Sequence, residues 1–102
     1  MGNSASGMMS IPPRHASIAV VPGCVVIEPI ECLIYTYVGG YISMDIEEAG
    51  IHSEAKDLAK ATLILSEALS TAYACLSKSQ KRLTPCLKKK KEFLDRHLKQ
   101  AT

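Results

Sequence analysis

The sequence lacks the residue patterns on which most catalytic and metal sites depend. None of its four cysteines forms a C-x-x-C pair, and no histidine stands at zinc-finger spacing. Its three histidines have no acidic or cysteine partner at ligand spacing either. These residues are Cys24, Cys32, Cys75, Cys86, His15, His52 and His97. There is also no nucleophile beside a base, no pair of catalytic acids and no glycine-rich phosphate loop. We therefore predict a protein that is not an enzyme and that holds no metal and no cofactor.

The sequence also has no uninterrupted apolar run of the length that crosses a bilayer as a helix. Its most apolar segment, residues 17–43, contains Glu28 and Glu31 near the middle, together with two prolines and the pair Gly39-Gly40. An acidic side chain at the centre of a spanning helix costs roughly 2.5–3.5 kcal/mol, so a transmembrane helix is disfavoured. No charged region followed by an apolar stretch marks a secretory signal, so we expect a reducing, cytosolic setting with free thiols.

Positive charge is scarce in the first 70 residues and abundant after them. Residues 1–70 hold three basic and eight acidic side chains, a net charge of −5, whereas residues 71–102 hold nine basic and two acidic, a net charge of +7. The longest basic run is Lys88, Lys89, Lys90 and Lys91. We expect this run to contact an anionic membrane leaflet or an acidic partner. Nucleic acid is disfavoured because the chain has one phenylalanine and no RNA-binding signature.

The first six residues, MGNSAS, match the N-myristoylation pattern, with glycine after the initiator and serine at the sixth position. Removal of Met1 frees the amine of Gly2, which has no side chain and can enter a narrow acyl-transferase pocket. We therefore predict Gly2 as a lipid-attachment site. One myristoyl chain gives only marginal, reversible binding, so a second signal is expected from the lysine run or from a partner with its own anchor.

Composition divides the chain into three segments. Residues 1–16 are rich in serine, glycine and proline and are predicted to form a flexible acylated arm. Residues 17–44 are β-rich and apolar. The predicted strands lie at 17–21, 24–28, 31–38 and 41–44. Residues 45–102 are predicted to be a helical, coiled-coil or interaction region that opens with the capping pair Asp45 and Glu48.

Apolar residues recur at alternating steps of four and three through residues 51–76, as in a heptad seam. The residues predicted to bind partner helices are Ile51, Leu58, Leu65, Leu69, Ala72 and Leu76. The same pattern fits an amphipathic helix packed on its own domain, and the sequence leaves both uses open.

Pro85 interrupts the helical pattern, and Thr84-Pro85 is typical of the cap and first residue of a new helix. One long helix kinked at Pro85 is slightly favoured over a hairpin that turns near residues 78–84. The predicted fold class is therefore mainly α, with a short β or extended N-terminal segment before a long coiled-coil-like helix.

This order of features resembles the myrlysin family, the lipid-anchored subunits of the BLOC-one-related complex that couples lysosomes to the kinesin transport machinery. The matching pieces are residues 2–6, the run 18–21 before Gly23, and the helical stretch 51–82, which together cover about half the chain. The resemblance implies helical partner subunits in a multi-subunit complex and an address on the cytosolic face of the lysosomal membrane.

Two functions are left open by these patterns. The first is a membrane-anchored adaptor that docks partner helices and acts in lysosome positioning and organelle transport. The alternative is a small membrane-active protein, of a viral kind, in which residues 17–43 insert into the bilayer. Alkaline carbonate should extract the first from membranes and leave the second behind.

Overall fold

Six strands and two helices make up the computed structural model, which describes residues 13–78 and 82–101. In chain order these elements are β1 (Arg14–Ile18), β2 (Cys24–Val26), β3 (Ile30–Thr36), β4 (Ile42–Ile46), β5 (Ile51–Ala55), α1 (Leu58–Lys78), α2 (Pro85–His97) and β6 (Leu98–Gln100).

Four of the strands form one antiparallel sheet in the order β1-β3-β4-β5, and β2 pairs with β6 in a separate two-stranded ribbon. In the larger sheet, Ile18 stands opposite Ile30, and Ile34 stands opposite Met44. Cross-strand neighbours lie on the same face of an antiparallel pair, so this register places these four apolar side chains on one face.

α1 covers that apolar face and contacts β4 and β5. Its Ala61, Leu65 and Leu69 are completely buried, and their spacing of four residues places them on one side of the helix. The hydroxyl of Ser53, which is buried in β5, donates to the backbone carbonyl of Ala61 at 2.8 Å. Helix and sheet are therefore joined by apolar packing and by one buried hydrogen bond.

α2 begins where the sequence predicts. Thr84 has extended backbone, its hydroxyl accepts from the amide of Leu87 at 3.3 Å, and Pro85 is the first helical residue. Phe93 and Leu94 are buried in the same core as α1. The chain then continues directly into β6, whose pairing with β2 ties this end of the fold back to residues 24–26.

The predicted fold class, mainly α with a long coiled-coil-like helix, is wrong. Residues 45–55, which were expected to begin the helical region, complete β4 and form a turn and β5. In residues 42–46 and 51–55, the strand pairing places successive residues alternately on the inner and outer faces of the sheet, which is the period of a strand. Gly50 has a φ of +67°, a conformation that suits the turn and that glycine adopts without strain.

The preference for one kinked helix is wrong as well. α1 ends at Lys78, α2 begins at Pro85, and residues 82–84 are not helical. The two helices contact each other, as in the hairpin alternative. Proline has no amide to donate and its ring clashes with the preceding turn, so the helix does not continue through Pro85 although the apolar pattern stays in phase. Each of the four predicted strands does overlap an observed one, β1 to β4.

Candidate functional site

The four-stranded sheet has a second face, which points away from α1 and is called the outer face below. By strand alternation it consists of His15, Ser17, Glu31, Leu33, Tyr35, Ser43, Asp45, His52 and Glu54. One row crosses all four strands, since His15 stands opposite Leu33, Leu33 opposite Asp45, and Asp45 opposite His52. Leu33 and Tyr35 are half-buried in the middle, whereas the side chains around them are mostly exposed and polar.

Three of the nine residues of the outer face carry carboxylates, and none of the nine is a lysine or arginine. These three are Glu31, Asp45 and Glu54, and Glu47 lies in the adjoining turn. Within residues 13–78 and 82–101, the ion pairs are Lys91 with Asp95 and Arg96 with Glu48. The four carboxylates on and beside the outer face therefore have no ion-pair partner in the described part of the chain.

The pKa of Tyr35 is affected by the negative charge of this surface. Partial burial, and then the negative charges of Glu47 and Asp45, raise the pKa of its phenol above the ordinary value for tyrosine. The phenol is therefore protonated at neutral pH. It presents an aromatic ring and a hydroxyl donor between carboxylates.

A cavity of about 330 Å³ adjoins the outer face where the pairing of β3 with β4 ends, at Leu33 and Asp45. The charged, titratable and aromatic side chains that line it are His15, Glu31, Cys32, Asp45, Glu47, Glu48, Phe93 and His97. Arg96 of α2 forms an ion pair with Glu48 at 2.7 Å, with both side chains largely exposed. The volume is at the small end of ligand pockets, so it fits one long side chain better than a whole organic ligand.

α2 presents the predicted lysine run. Lys88 and Lys89 are exposed, and Lys90 is half-buried beside α1. The ammonium of Lys91 donates to Asp95 Oδ2 at 2.8 Å, and this hydrogen bond together with the charge of Asp95 raises the pKa of Lys91. Three of the four lysines therefore have no ion pair to any residue that the structure describes.

The six residues predicted to bind partner helices do not form one exposed seam. Those buried in the core of the chain itself are Ile51, Leu65, Leu69 and Leu76. Ala72 is half-buried against the same core, and Leu58 is exposed. The structure thus places most of this seam inside the chain, which was the second use that the sequence left open.

The remaining predicted positions are dispersed. Gly2 and most of the arm 1–16 lie outside the described residues. His15 and His52 stand at the two ends of the row across the outer face, and Nδ1 of His97 lies 3.0 Å from the carbonyl oxygen of Glu28. In the described ranges no group of three or more histidine, cysteine, aspartate and glutamate side chains is arranged to hold a metal ion.

Sequence reasoning missed the outer face because it took residues 45–55 as helical. On a helix Glu54 points away from Asp45 and His52, whereas on paired strands all three residues share a face. The signal that could have found them is the alternation on both sides of the segment EEAG, residues 47–50.

None of the helices within residues 13–78 and 82–101 is long and apolar enough to cross a membrane. Comparison of the chain with protein-family models, with curated proteins and with solved structures gave no match. Its function is therefore inferred from its own residues and their geometry.

Proposed function

We propose that this chain is a non-catalytic interaction domain that is tethered to the cytosolic face of a membrane by myristate on Gly2 and by the lysines of α2. Partner proteins are recruited to the membrane through the part of the surface that the tether leaves free. The adaptor function predicted from the sequence is kept in this proposal, and the docking of partner helices along the buried seam is not.

The observation that supports the tether best is the arrangement of α2. Phe93 and Leu94 anchor the C-terminal half of α2 in the core, while Lys88 and Lys89, about one turn earlier, are exposed and Lys90 is half-buried beside α1. A basic surface fixed in this way loses little conformational freedom when it meets an anionic leaflet.

The energetics explain why both signals are needed. A single myristoyl chain binds a bilayer only marginally, whereas each lysine near an anionic surface adds about 1 kcal/mol. Neither signal suffices for stable attachment, but together they do. Since anionic lipid repels carboxylates, we expect the outer face of the sheet to remain in the cytosol and available to partners.

Location at the lysosomal membrane stays a prediction that depends on the resemblance to the myrlysin family. Of the stretch 51–82 that contributes to the resemblance, residues 51–55 form a strand and α1 ends at Lys78. The proposal of a membrane tether does not depend on that resemblance.

The experiment that tests the proposal is the intact mass of the chain expressed in eukaryotic cells, beside a Gly2→Ala variant. We expect a gain of about 210 Da on the chain that lacks Met1, and no gain in the variant. An unmodified Gly2 in the parent chain would refute the tether.

Cell fractionation then separates this proposal from the membrane-active alternative. We expect the chain in the membrane fraction, its release by alkaline carbonate, and a cytosolic Gly2→Ala variant. Retention after carbonate treatment would favour insertion of residues 17–43, a segment that in the structure contains β2, β3 and parts of β1 and β4.

A further inference from the structure

We infer that the outer face of the sheet, with its adjoining cavity, is a docking surface for an arginine-rich segment of a partner protein. The inference deepens the proposed function and rests on it in one respect, because a recruited partner is the reason for a tether. The chemistry of the surface identifies the class of partner.

Charge is the first argument. Glu31, Asp45, Glu47 and Glu54 lie on or beside one surface and have no ion-pair partner in the described residues. Grouped carboxylates repel one another, and a cationic segment would relieve that repulsion while making charge-assisted hydrogen bonds. The natural occupant of this face is therefore positively charged.

The shape and composition of the face favour arginine over lysine. Leu33 and Tyr35 form a half-buried apolar and aromatic centre between the carboxylates. A guanidinium group stacks on such a ring and binds a carboxylate with two parallel hydrogen bonds, which a compact ammonium group cannot do. The cavity of about 330 Å³ beside Asp45 has room for one long side chain of this kind.

The chain does not supply this occupant from its own N-terminal segment. Residues 1–13 contain no lysine or arginine. A second copy that used the same face would bring like charges together, which is unfavourable. A second copy that used its basic α2 would form a reciprocal dimer if both contacts are made at once, and rings or open filaments if they are not. If the occupant were the N-terminal segment, the chain would make an intramolecular contact, and if it were a second copy, the chain would form an oligomer. A separate partner requires neither.

The test is a titration of the full-length, ¹⁵N-labelled chain with a ten-residue peptide that contains four arginines, followed by amide chemical shifts. The control peptide replaces each arginine with citrulline, which keeps the shape and removes the charge. We expect saturable shifts at Leu33, Tyr35 and Asp45 with the arginine peptide, and no saturable shifts with the citrulline peptide. A third peptide with four lysines should bind more weakly than the arginine peptide.

Paired variants then locate the binding surface. Asp45→Asn with Glu54→Gln should weaken binding of the arginine peptide by at least about tenfold, since even one lost charge-assisted hydrogen bond has that effect. Glu67→Gln with Glu92→Gln removes the same charge from exposed carboxylates of α1 and α2 and should leave the affinity within about twofold. Gly2→Ala should not alter binding, so a failed tether and a failed docking surface give different results.

Three outcomes would overturn the inference. The first is an equal loss of affinity in both double variants, which would mean that only net charge matters. The second is a set of shifts that maps to α1 or α2 and not to the outer face. The third is a concentration-dependent dimer or larger assembly of the chain alone that Asp45→Asn with Glu54→Gln dissociates, because the occupant would then be a second copy.

Discussion

Leu69 lies on the inward side of α1, and none of its surface is exposed. It belongs to the buried cluster that also contains Met44 and Leu94, so α1, the sheet and α2 contribute to one core. Leu63, on the same helix, is 54% exposed. Two leucines of identical chemistry therefore contribute very differently to stability, because transfer from water and close packing both depend on burial.

We predict that Leu69→Ala lowers the free energy of unfolding by about 2–5 kcal/mol, a large part of the total for a domain of this size. Leu63→Ala should change it by less than about 0.5 kcal/mol. Urea unfolding followed by circular dichroism measures both. Equal effects of the two substitutions would mean that α1 does not pack on the sheet through Leu69.

Cys32 gives the fold a dependence on pH at the alkaline end. Burial, and then the charge of Glu31, raise the pKa of its thiol above the ordinary value for cysteine. The folded chain therefore binds this proton more tightly than the unfolded chain does. The associated stability is fully present below about pH 8.5, the ordinary pKa of a cysteine, and is lost as the pH rises through the folded-state pKa.

We predict that the unfolding free energy of the parent chain falls between neutral and alkaline pH and that Cys32→Ala reduces this fall. Cys75 is exposed, so Cys75→Ala should leave the pH dependence as it is in the parent. The three proteins are compared by the slope of unfolding free energy against pH. Removal of the Cys32 side chain also costs packing, but that loss does not depend on pH and so does not affect the slope. Identical slopes in all three proteins would contradict the role of Cys32.

At the scale of elements, the start of α2 is predicted from the sequence, whereas the alternation that marks the β4-β5 hairpin competes with a helix-cap pattern in the same residues. Thr84-Pro85 acts through local chemistry, since a hydroxyl accepts an amide hydrogen bond within one turn and proline sets its own φ. The hairpin depends on β3, which lies beside β4 and supplies its other row of hydrogen bonds. Asp45 and Glu48 look like a cap because nothing in their own neighbourhood reveals that strand.

We predict that Thr84→Ala lowers the free energy of unfolding by about 1 kcal/mol, because the amide of Leu87 loses its acceptor. Thr71→Ala is the matched control, since Thr71 is exposed on α1 and alanine has the higher helix propensity. Chemical unfolding of the two variants is the measurement. A control that is destabilised as much as Thr84→Ala would show that the cap does not stabilise α2.

At the scale of the whole molecule, charge is divided between two surfaces. Among the residues that the structure describes, lysines without ion pairs stand on α2, which packs with α1, and carboxylates without ion pairs stand on the outer face of the sheet. The sequence already shows that residues 1–70 and residues 71–102 have opposite net charge. It does not show that the carboxylates of residues 31, 45 and 54 share a face, because that follows from the register of three strands.

The candidate site, like the fold, could be predicted from the sequence only in part. The lysine run and the pattern around Gly2 are continuous in the sequence, so they can be identified without a fold. The seam of Leu65, Leu69 and Leu76 could not be assigned to a partner or to the core, since both uses require the same apolar period. Only the position of the sheet decides between them, and it covers the seam.

Sedimentation of the myristoylated chain with lipid vesicles tests the membrane tether most directly. Vesicles of phosphatidylcholine alone are compared with vesicles that also contain phosphatidylserine. The variants are Lys88, Lys89 and Lys90 each changed to glutamine and, as a control of equal charge, Lys56, Lys60 and Lys78 each changed to glutamine. All three control lysines are exposed.

We predict firm binding of the parent chain only where phosphatidylserine is present. Substitution of the three α2 lysines should weaken that binding by on the order of 100-fold, because each lysine contributes about 1 kcal/mol. The control substitutions should weaken it far less. Equal losses in the two triple variants, or equal binding of the parent chain to both kinds of vesicle, would contradict a tether made by Gly2 and α2 together.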